Sequence, residues 1–213
     1  MTNIYLVRHG QTDTNSKGIL AGWYPSRPTE LGLRQGEAAA EYLKNVPFDA
    51  VYSSDIERAM VLAGQAAALH GLPVIPDPDL RELWVGEWEG RPVEELKAEY
   101  PEAFGVWMTD PGFVQCPGGE STTDVTRRVT SAVHRIAKAH PGGTVLCVTH
   151  GFALRALYAA AEGIPFERFG EIPYVANAAV TRIGVDEDGA ITVYAYGESE
   201  HLEGILTQIK WIR

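Results

Sequence analysis

Short runs of apolar residues alternate along the chain with longer segments in which apolar and polar positions are mixed. The clearest runs cover residues 4–7, 50–52 and 144–149, and polar residues follow each of them at once. Runs of this length with a sharp end are typical of buried β-strands, and the nearly continuous run at 144–149 is typical of a central parallel strand. Residues 73–75 predict a short edge strand, because sheet edges tolerate proline.

Helices are predicted where a capping residue precedes a segment with one apolar face. Ser121 begins the most regular of them, a helix to about Ala139 that places Val125, Val129 and Val133 on one side. The other predicted helices, the first two capped by Thr29 and by the segment Ser53–Asp55, cover residues 29–45, 56–70, 93–100 and 152–162.

This order of strands and helices predicts an α/β fold, a three-layer sandwich whose mostly parallel sheet of about six strands has helices on both faces. A hairpin formed by residues 179–196 supplies one antiparallel strand. Glycine and proline make residues 16–28 a predicted loop, whereas residues 197–213 show no clear pattern. We expect residues 1–213 to form a single domain, with residues 76–120 as a cap-like excursion over one edge of the sheet.

Composition narrows the possible partners of the chain, which has 213 residues and a formal net charge of −10. This charge argues against nucleic acid or an anionic membrane as the main partner, although arginines in a cleft can still bind a small anion. The apolar runs are too short to span a bilayer, and the first residues do not resemble a signal peptide. Cys116 and Cys147 form no metal or redox motif, which fits a cytoplasmic location. The sequence leaves open whether copies of the chain assemble.

Arginine and histidine stand where two of the predicted strands end. Arg8, His9 and Gly10 follow the first strand, and His150 with Gly151 follows the central one. The carboxyl ends of parallel strands meet at one edge of the sheet, where open α/β folds usually bind ligands. A single histidine of this kind is usually structural, but two strands that both end in His-Gly indicate a shared site.

These residue types favour phosphoryl transfer. Arg8 and Arg58, the latter in the first turn of the helix after the second strand, can neutralise the non-bridging oxygens of a phosphate. An imidazolium at His150 can do the same, and His9 can attack phosphorus in line if it is neutral and oriented. A nearby carboxylic acid could protonate the leaving oxygen and contribute about 10²–10⁴ in rate. The residue pattern alone does not select that acid from the 28 acidic residues.

Several segments together carry a resemblance to a known family. In chain order they are Arg8–Thr12 with Asn15, Ser53–Ala59, Leu80–Glu82 with Gly86 and Trp88–Gly90, Pro117–Ser121, and Thr149–Gly151. In this combination the chain resembles the histidine phosphatase superfamily, also called the phosphoglycerate mutase-like family. The segment Pro117–Ser121 resembles its phosphatase branch.

The resemblance implies a role for each matching residue. His9 would be the phosphorylated nucleophile, and Glu82 would be the general acid that later activates water. The residues that would hold the phosphoryl group are Arg8, Asn15, Arg58, His150 and Gly151. The resemblance implies no metal and no other cofactor.

Three functions are open at this point: a metal-independent phosphomonoester hydrolase that forms a phosphohistidine, a cofactor-dependent phosphoglycerate mutase, and a phosphate-binding protein without turnover. A mutase must hold a second anionic group, yet between Leu83 and Thr126 only Arg91 and Lys97 are basic. A protein without turnover is expected to lack the nucleophile or the acid. The sequence therefore favours a hydrolase of small phosphorylated metabolites with an apolar or sugar-like leaving group, and it leaves the physiological substrate open.

Overall fold

A six-stranded sheet forms the centre of the computed structural model, which describes residues 1–207. The strands of the chain are β1 (Thr2–Arg8), β2 (Ile19–Leu20), β3 (Ala50–Ser53), β4 (Val74–Pro76), β5 (Arg91–Pro92), β6 (Thr144–Thr149), β7 (Val180–Val185) and β8 (Ile191–Glu198). The central sheet has the order β4-β3-β6-β1-β7-β8, in which β7 runs against the other five strands. The predicted sheet, its edge strand and its hairpin are confirmed.

Helices cover both faces of this sheet, so the predicted three-layer sandwich is also confirmed. They are α1 (Asp13–Lys17), α2 (Glu30–Leu43), α3 (Glu57–His70), α4 (Val93–Glu99), α5 (Pro101–Thr109), α6 (Thr122–Ala139) and α7 (Gly151–Ala161). Helices α2 and α3 pack together over one face, and α6 and α7 pack together over the other. Thr29 and Ser121 cap α2 and α6 as predicted.

Successive residues of β1 point to opposite faces of the sheet, which ties both halves of the core to this strand. Ile4 and Leu6 pack with α6 and α7, whereas Val7 packs with α2 and α3. All three side chains are fully buried. Because β1 lies between β6 and β7, its last residues emerge at the middle of the sheet edge.

Two local predictions were wrong, and one helix was not predicted. The predicted loop at 16–28 contains the end of α1 and also β2, which pairs with β5 and ties this segment to the excursion. Helix α5 was not predicted, because its capping position is held by Tyr100, which makes no side-chain cap bond. The predicted cap at Ser53–Asp55 does not form either, since α3 begins after Ile56 without a side-chain cap.

The structure describes part of the segment 197–213, in which the sequence shows no clear pattern. Strand β8 continues to Glu198, and a 3-10 turn follows at Glu200–Leu202. Residues 208–213 of the unassigned segment 197–213 lie outside the described residues. No helix within residues 1–207 is both long enough and apolar enough to cross a bilayer.

Candidate active site

The His9 ring follows β1 directly and is buried in one defined tautomer. Its Nδ1 lies 2.7 Å from the carbonyl oxygen of Gly10, which can only accept a hydrogen bond. Its Nε2 lies 3.3 Å from Nε of Arg58, which can only donate. The hydrogen therefore belongs on Nδ1, and Nε2 carries the lone pair. A neutral imidazole of this kind is the form that a nucleophilic histidine requires.

Two buried guanidinium groups flank this ring. Arg58, in the first turn of α3, donates from Nη2 to the Gly22 carbonyl at 2.5 Å and from Nη1 to the Ser26 hydroxyl at 3.1 Å. Arg8 donates from Nη1 to the Val175 carbonyl at 2.6 Å, and its buried Nε has no partner among the described residues. Within residues 1–207, neither arginine forms an ion pair with a carboxylate.

His150 stands beside His9 at the end of β6, where it is the N-cap of α7. The two ring centroids are 5.1 Å apart. The His150 Nε2 lies 2.8 Å from the Ser54 hydroxyl, and its buried Nδ1 has no partner in the described part of the chain. The ends of β1, β3 and β6 therefore meet around the two histidines, as the strand-end argument predicts.

The electrostatics of this cluster favour a bound anion. Burial lowers the pKa of His9 and of His150 well below 6.5, and the positive charge of Arg58 lowers both further. Burial also lowers the pKa of Arg58 to about 10; the negative charge of Glu82 acts in the opposite direction, and the neighbouring Arg8 lowers this pKa by a smaller amount. Desolvation and mutual repulsion thus act against positive charge in the cluster, and a dianion placed among these groups would relieve both.

The Glu82 carboxylate lies at the same site and is held by backbone donors. Its Oε1 accepts hydrogen bonds from the N–H groups of Phe152 and Ala153, each at 3.1 Å, in the first turn of α7. Its Oε1 also accepts from the N–H of Leu83 at 3.0 Å. The free N–H groups at the start of α7 therefore fix the position of the Glu82 carboxyl group. The excursion 76–120 thus places the Glu82 carboxyl group near the carboxyl ends of the strands.

One cavity of about 60 Å³ joins these groups. Six of the seven predicted site residues line it, and the seventh, His150, is fully buried beside His9. The six are Arg8, His9, Asn15, Arg58, Glu82 and Gly151. The remaining wall is mostly apolar and consists of Ile19, Leu20, Ala21, Gly22, Val85, Trp107, Phe152 and Tyr174.

Known proteins similar in sequence identify the family of this chain. Residues 4–196 match the profile of the histidine phosphatase superfamily (branch 1). The chain belongs to this superfamily. A metal-independent phosphoserine phosphatase of Arabidopsis thaliana is 41% identical over 161 residues, which are 74% of this chain and 68% of the relative. Phosphoserine phosphatase 1 of Hydrogenobacter thermophilus is 33% identical over 169 residues, 79% of this chain and 80% of the relative.

The solved structures agree on the fold of this histidine phosphatase. Bacillus stearothermophilus YhfR superposes with a TM-score of 0.91 at 34% identity, covering 95% of this chain and 100% of that one. The resemblance inferred from the motifs is therefore confirmed, and the chain is a phosphatase of this superfamily.

Two residues that support the site were not predicted. Asn177 is buried and donates to the His9 carbonyl at 3.1 Å and to the Asn15 side chain at 3.4 Å. Ala178 has a φ of 60°, and its N–H reaches the carbonyl oxygens of both Arg8 and His9. A left-handed alanine is strained, so the surrounding contacts must hold it. The position of Asn177 shortly before β7 was the available signal for it in the sequence.

Ser54 was interpreted as a capping residue but has a different contact. Its hydroxyl lies within hydrogen-bond distance of Nε2 of His150, and it also accepts from the N–H of Ile56 at 3.3 Å. The side chain is fully buried. The sequence pattern assigned Ser54 to the start of the next helix. Its contact with His150, 96 positions away, depends on the fold and has no local signal in the sequence.

The lowered histidine pKa values predict how stability depends on pH. Below pH 6.5 the unfolded chain binds a proton at each histidine, whereas the folded phosphatase keeps His9 and His150 neutral. Stability is therefore lost as the pH falls, by about 1.4 kcal/mol per pH unit for each histidine between about pH 6.5 and 5. Urea unfolding of wild type and His150→Asn in phosphate-free buffer measures this. In the variant, the free energy of unfolding should depend less steeply on pH, by the contribution of one histidine. An equal pH dependence in wild type and variant would contradict the neutral state assigned to His150.

Proposed function

We propose that this phosphatase hydrolyses small phosphomonoesters through a phosphohistidine at His9, without a metal ion. The observation that carries the proposal is the neutral His9 imidazole between two buried guanidinium groups, Arg8 and Arg58, that have no carboxylate partner among the described residues. Burying a guanidinium without a directly paired carboxylate is costly, so its retention at a cavity favours an anionic ligand. The two arginines supply the positive charge that phosphoryl transfer needs at the non-bridging oxygens.

The first step transfers the phosphoryl group to the protein. Arg8, Arg58, Asn15 and the His150 imidazole hold the phosphoryl oxygens, with the Gly151 backbone beside them. The lone pair of His9 Nε2 attacks phosphorus, and the bond from phosphorus to the ester oxygen breaks. The protonated Glu82 carboxyl gives its proton to that oxygen, and the alcohol leaves.

The second step returns the enzyme to its starting form. The Glu82 carboxylate takes a proton from a water molecule, and the water oxygen attacks phosphorus. The bond between phosphorus and Nε2 breaks, which releases inorganic phosphate and leaves His9 neutral and Glu82 protonated again. Glu82 supports this double role by its position, because its carboxyl group lines the cavity that His9 also lines.

Glu82→Gln tests the acid and base role. We expect the specificity constant for an alkyl phosphate to fall about 10²–10³-fold, since the amide cannot donate a proton of similar acidity. The inhibition constant of inorganic phosphate should change little, because Arg8, Arg58 and His9 remain. Rapid quenching should show a phosphoryl group on His9 that persists longer than in the wild type. An unchanged specificity constant together with no longer-lived intermediate would remove Glu82 from the mechanism.

The cavity wall beyond the phosphoryl group favours an uncharged leaving group. Within the described residues, Arg8 and Arg58 are the only arginine or lysine side chains that line the cavity. The wall around Val85, Trp107 and Phe152 is apolar and would desolvate a second anionic group without a partner. The excursion 76–120 contributes Val85 and Trp107 to this wall along with Glu82, which supports its proposed role as a cap.

Two substrates that differ in one group test this preference. Glycerol 3-phosphate and 3-phosphoglycerate share the phosphate ester and differ by a hydroxymethyl group in place of a carboxylate. We expect a specificity constant at least about tenfold higher for glycerol 3-phosphate, a difference of roughly 1.4 kcal/mol that is small against the cost of an unpaired buried carboxylate. Phosphoserine, the substrate named for two relatives, belongs in the same panel. A preference for the carboxylated substrates would contradict the assignment of the apolar wall.

The same panel separates the hydrolase from its alternatives. A phosphoglycerate mutase would interconvert phosphoglycerates rapidly and release phosphate slowly. A phosphate-binding protein without turnover would bind inorganic phosphate but release none from any ester. The cytoplasmic location stays a prediction, which both buried free cysteines support, and the assembly state stays open.

A further inference from the structure

The guanidinium of Arg128, on α6, uses all of its N–H groups at one place in the excursion. Its Nη1 donates to the carbonyl oxygens of Asp79 and Arg81, each at 2.9 Å. Its Nη2 donates to the Glu82 carbonyl at 3.1 Å and to Glu120 Oε2 at 2.7 Å, and its Nε donates to Glu120 Oε1 at 2.9 Å. These five bonds equal the donor capacity of an arginine side chain. Three of them fix the backbone at or just before Glu82.

Glu120 extends this arrangement to the other side of Glu82. Its Oε2 accepts from the N–H of Trp84 at 2.9 Å, and its own N–H donates to the Trp84 carbonyl at 2.8 Å. Glu120 belongs to the segment Pro117–Ser121, to which the proposed chemistry gives no task. Only 14% of the Arg128 side chain and 16% of the Glu120 side chain are exposed. Such a pair is shielded from solvent and held in one geometry by its additional hydrogen bonds.

We infer that Arg128 and Glu120 are positioning residues that fix the Glu82 backbone, and through it the distance of the Glu82 carboxyl group from the leaving oxygen. The inference rests on the proposed function, because it assumes that Glu82 donates the proton. Two helices then hold Glu82: α6 its backbone, to which the Trp23 indole also donates at 2.7 Å, and the first turn of α7 its carboxyl group. Neither Arg128 nor Glu120 lines the cavity among the described residues, so both act through Glu82.

This role predicts a loss that depends on the leaving group. A misplacement of about 1 Å costs roughly 10²-fold where a catalytic group must reach a reacting atom. A p-nitrophenolate group leaves without being protonated, whereas the alkoxide of glycerol 3-phosphate requires a proton from Glu82. Damage confined to the position of Glu82 therefore slows the second substrate and spares the first.

Specificity constants of Arg128→Gln for both substrates test the inference. We expect roughly a 10²-fold fall for glycerol 3-phosphate and less than about a threefold fall for p-nitrophenyl phosphate. Arg128→Lys should show the same selective loss, since an ammonium group cannot reach the five acceptors. Equal losses for both substrates in a folded variant, or no loss for either, would overturn the inference. The specificity constant is the relevant quantity because it covers the steps up to transfer of the phosphoryl group.

Arg135→Gln is the matched control. Arg135 lies two turns further along α6 and pairs with Asp77 and Asp79, in the same connection that leads to Glu82. Its side chain is half exposed, and we expect both substrates to keep wild-type constants in this variant. A selective loss here would show that any disturbance of the connection has the same effect, which would also overturn the specific role of Arg128.

Two further measurements keep the test decisive. The inhibition constant of inorganic phosphate reports whether the arginines around His9 are still in place. If Arg128→Gln does not fold, the same two substrates are compared in Glu120→Gln. This variant loses the negative charge that pairs with Arg128, while its one amide oxygen can still accept a hydrogen bond. Glu82→Gln separates the two hypotheses: without a selective loss in that variant the proposed acid role fails, whereas a selective loss there but not in Arg128→Gln contradicts only the positioning role.

Discussion

His9→Ala is expected to lower the turnover of p-nitrophenyl phosphate on the order of 10⁵-fold. The variant loses the atom that attacks phosphorus, and residual binding by the arginines cannot replace a covalent step. Because p-nitrophenolate leaves without help from an acid, a loss of turnover with this substrate reports on the nucleophile and not on proton transfer. Steady-state kinetics of purified wild type and variant, with release of p-nitrophenolate as the signal, measure the ratio.

His134→Ala is the control for this replacement. His134 is an exposed histidine on α6, and its ring contacts the Gly189 carbonyl at 3.0 Å. Its replacement should leave turnover within about twofold, because surface substitutions away from such sites rarely change stability by more than about 0.5 kcal/mol. If His9→Ala and wild type hydrolysed the ester equally fast, the proposed nucleophile would be excluded.

Arg58→Ala should lower the specificity constant by roughly 10³–10⁵, the range found for arginines that stabilise a phosphoryl transition state. The variant loses a guanidinium that lies 3.3 Å from the attacking nitrogen of His9. It also loses the hydrogen bonds that hold the segment Gly22–Ser26 at the cavity wall. Both losses act in the same direction, and kinetics with p-nitrophenyl phosphate measure their sum.

Two comparisons separate charge from geometry at this position. Arg58→Lys keeps a positive charge but cannot span Gly22, Ser26 and the ligand at once, so it should recover less than about a tenth of the lost activity. Arg127→Ala removes an arginine whose side chain is 74% exposed and should have no effect on the specificity constant. A wild-type specificity constant in Arg58→Ala would remove Arg58 from the site.

The sequence predicted the parts of the fold that depend on local patterns. Runs of apolar residues such as 144–149 indicate buried strands, and a parallel sheet then brings the carboxyl ends of these strands to the same edge. For that reason the sequence alone assigns Arg8, His9 and His150 to one site. Glu82 and Asn15 came only from the family resemblance, because an acidic residue in a connection and an asparagine in a turn look alike whether or not they are functional.

The remaining features depend on contacts between distant segments. Strand β2 has two residues and exists because it pairs with β5, about seventy positions away, so no local periodicity marks it. Ser54 reaches His150 and Arg128 reaches the Glu82 backbone only after the sheet has brought their elements together. Side chains of this kind match a surface or capping pattern in the sequence, and only their burial in the structure distinguishes them.

Arg8 and Arg58 are buried and pair directly with no carboxylate among the described residues, which also affects how the enzyme responds to its own product. Groups that hold the phosphoryl oxygens of the ester also suit the inorganic phosphate that hydrolysis releases, so the enzyme should be subject to product inhibition. The same binding adds RT ln(1 + [L]/Kd) to the free energy of unfolding, about 2.7 kcal/mol at a hundredfold excess over Kd. Phosphate-rich conditions should therefore give a longer-lived but slower enzyme.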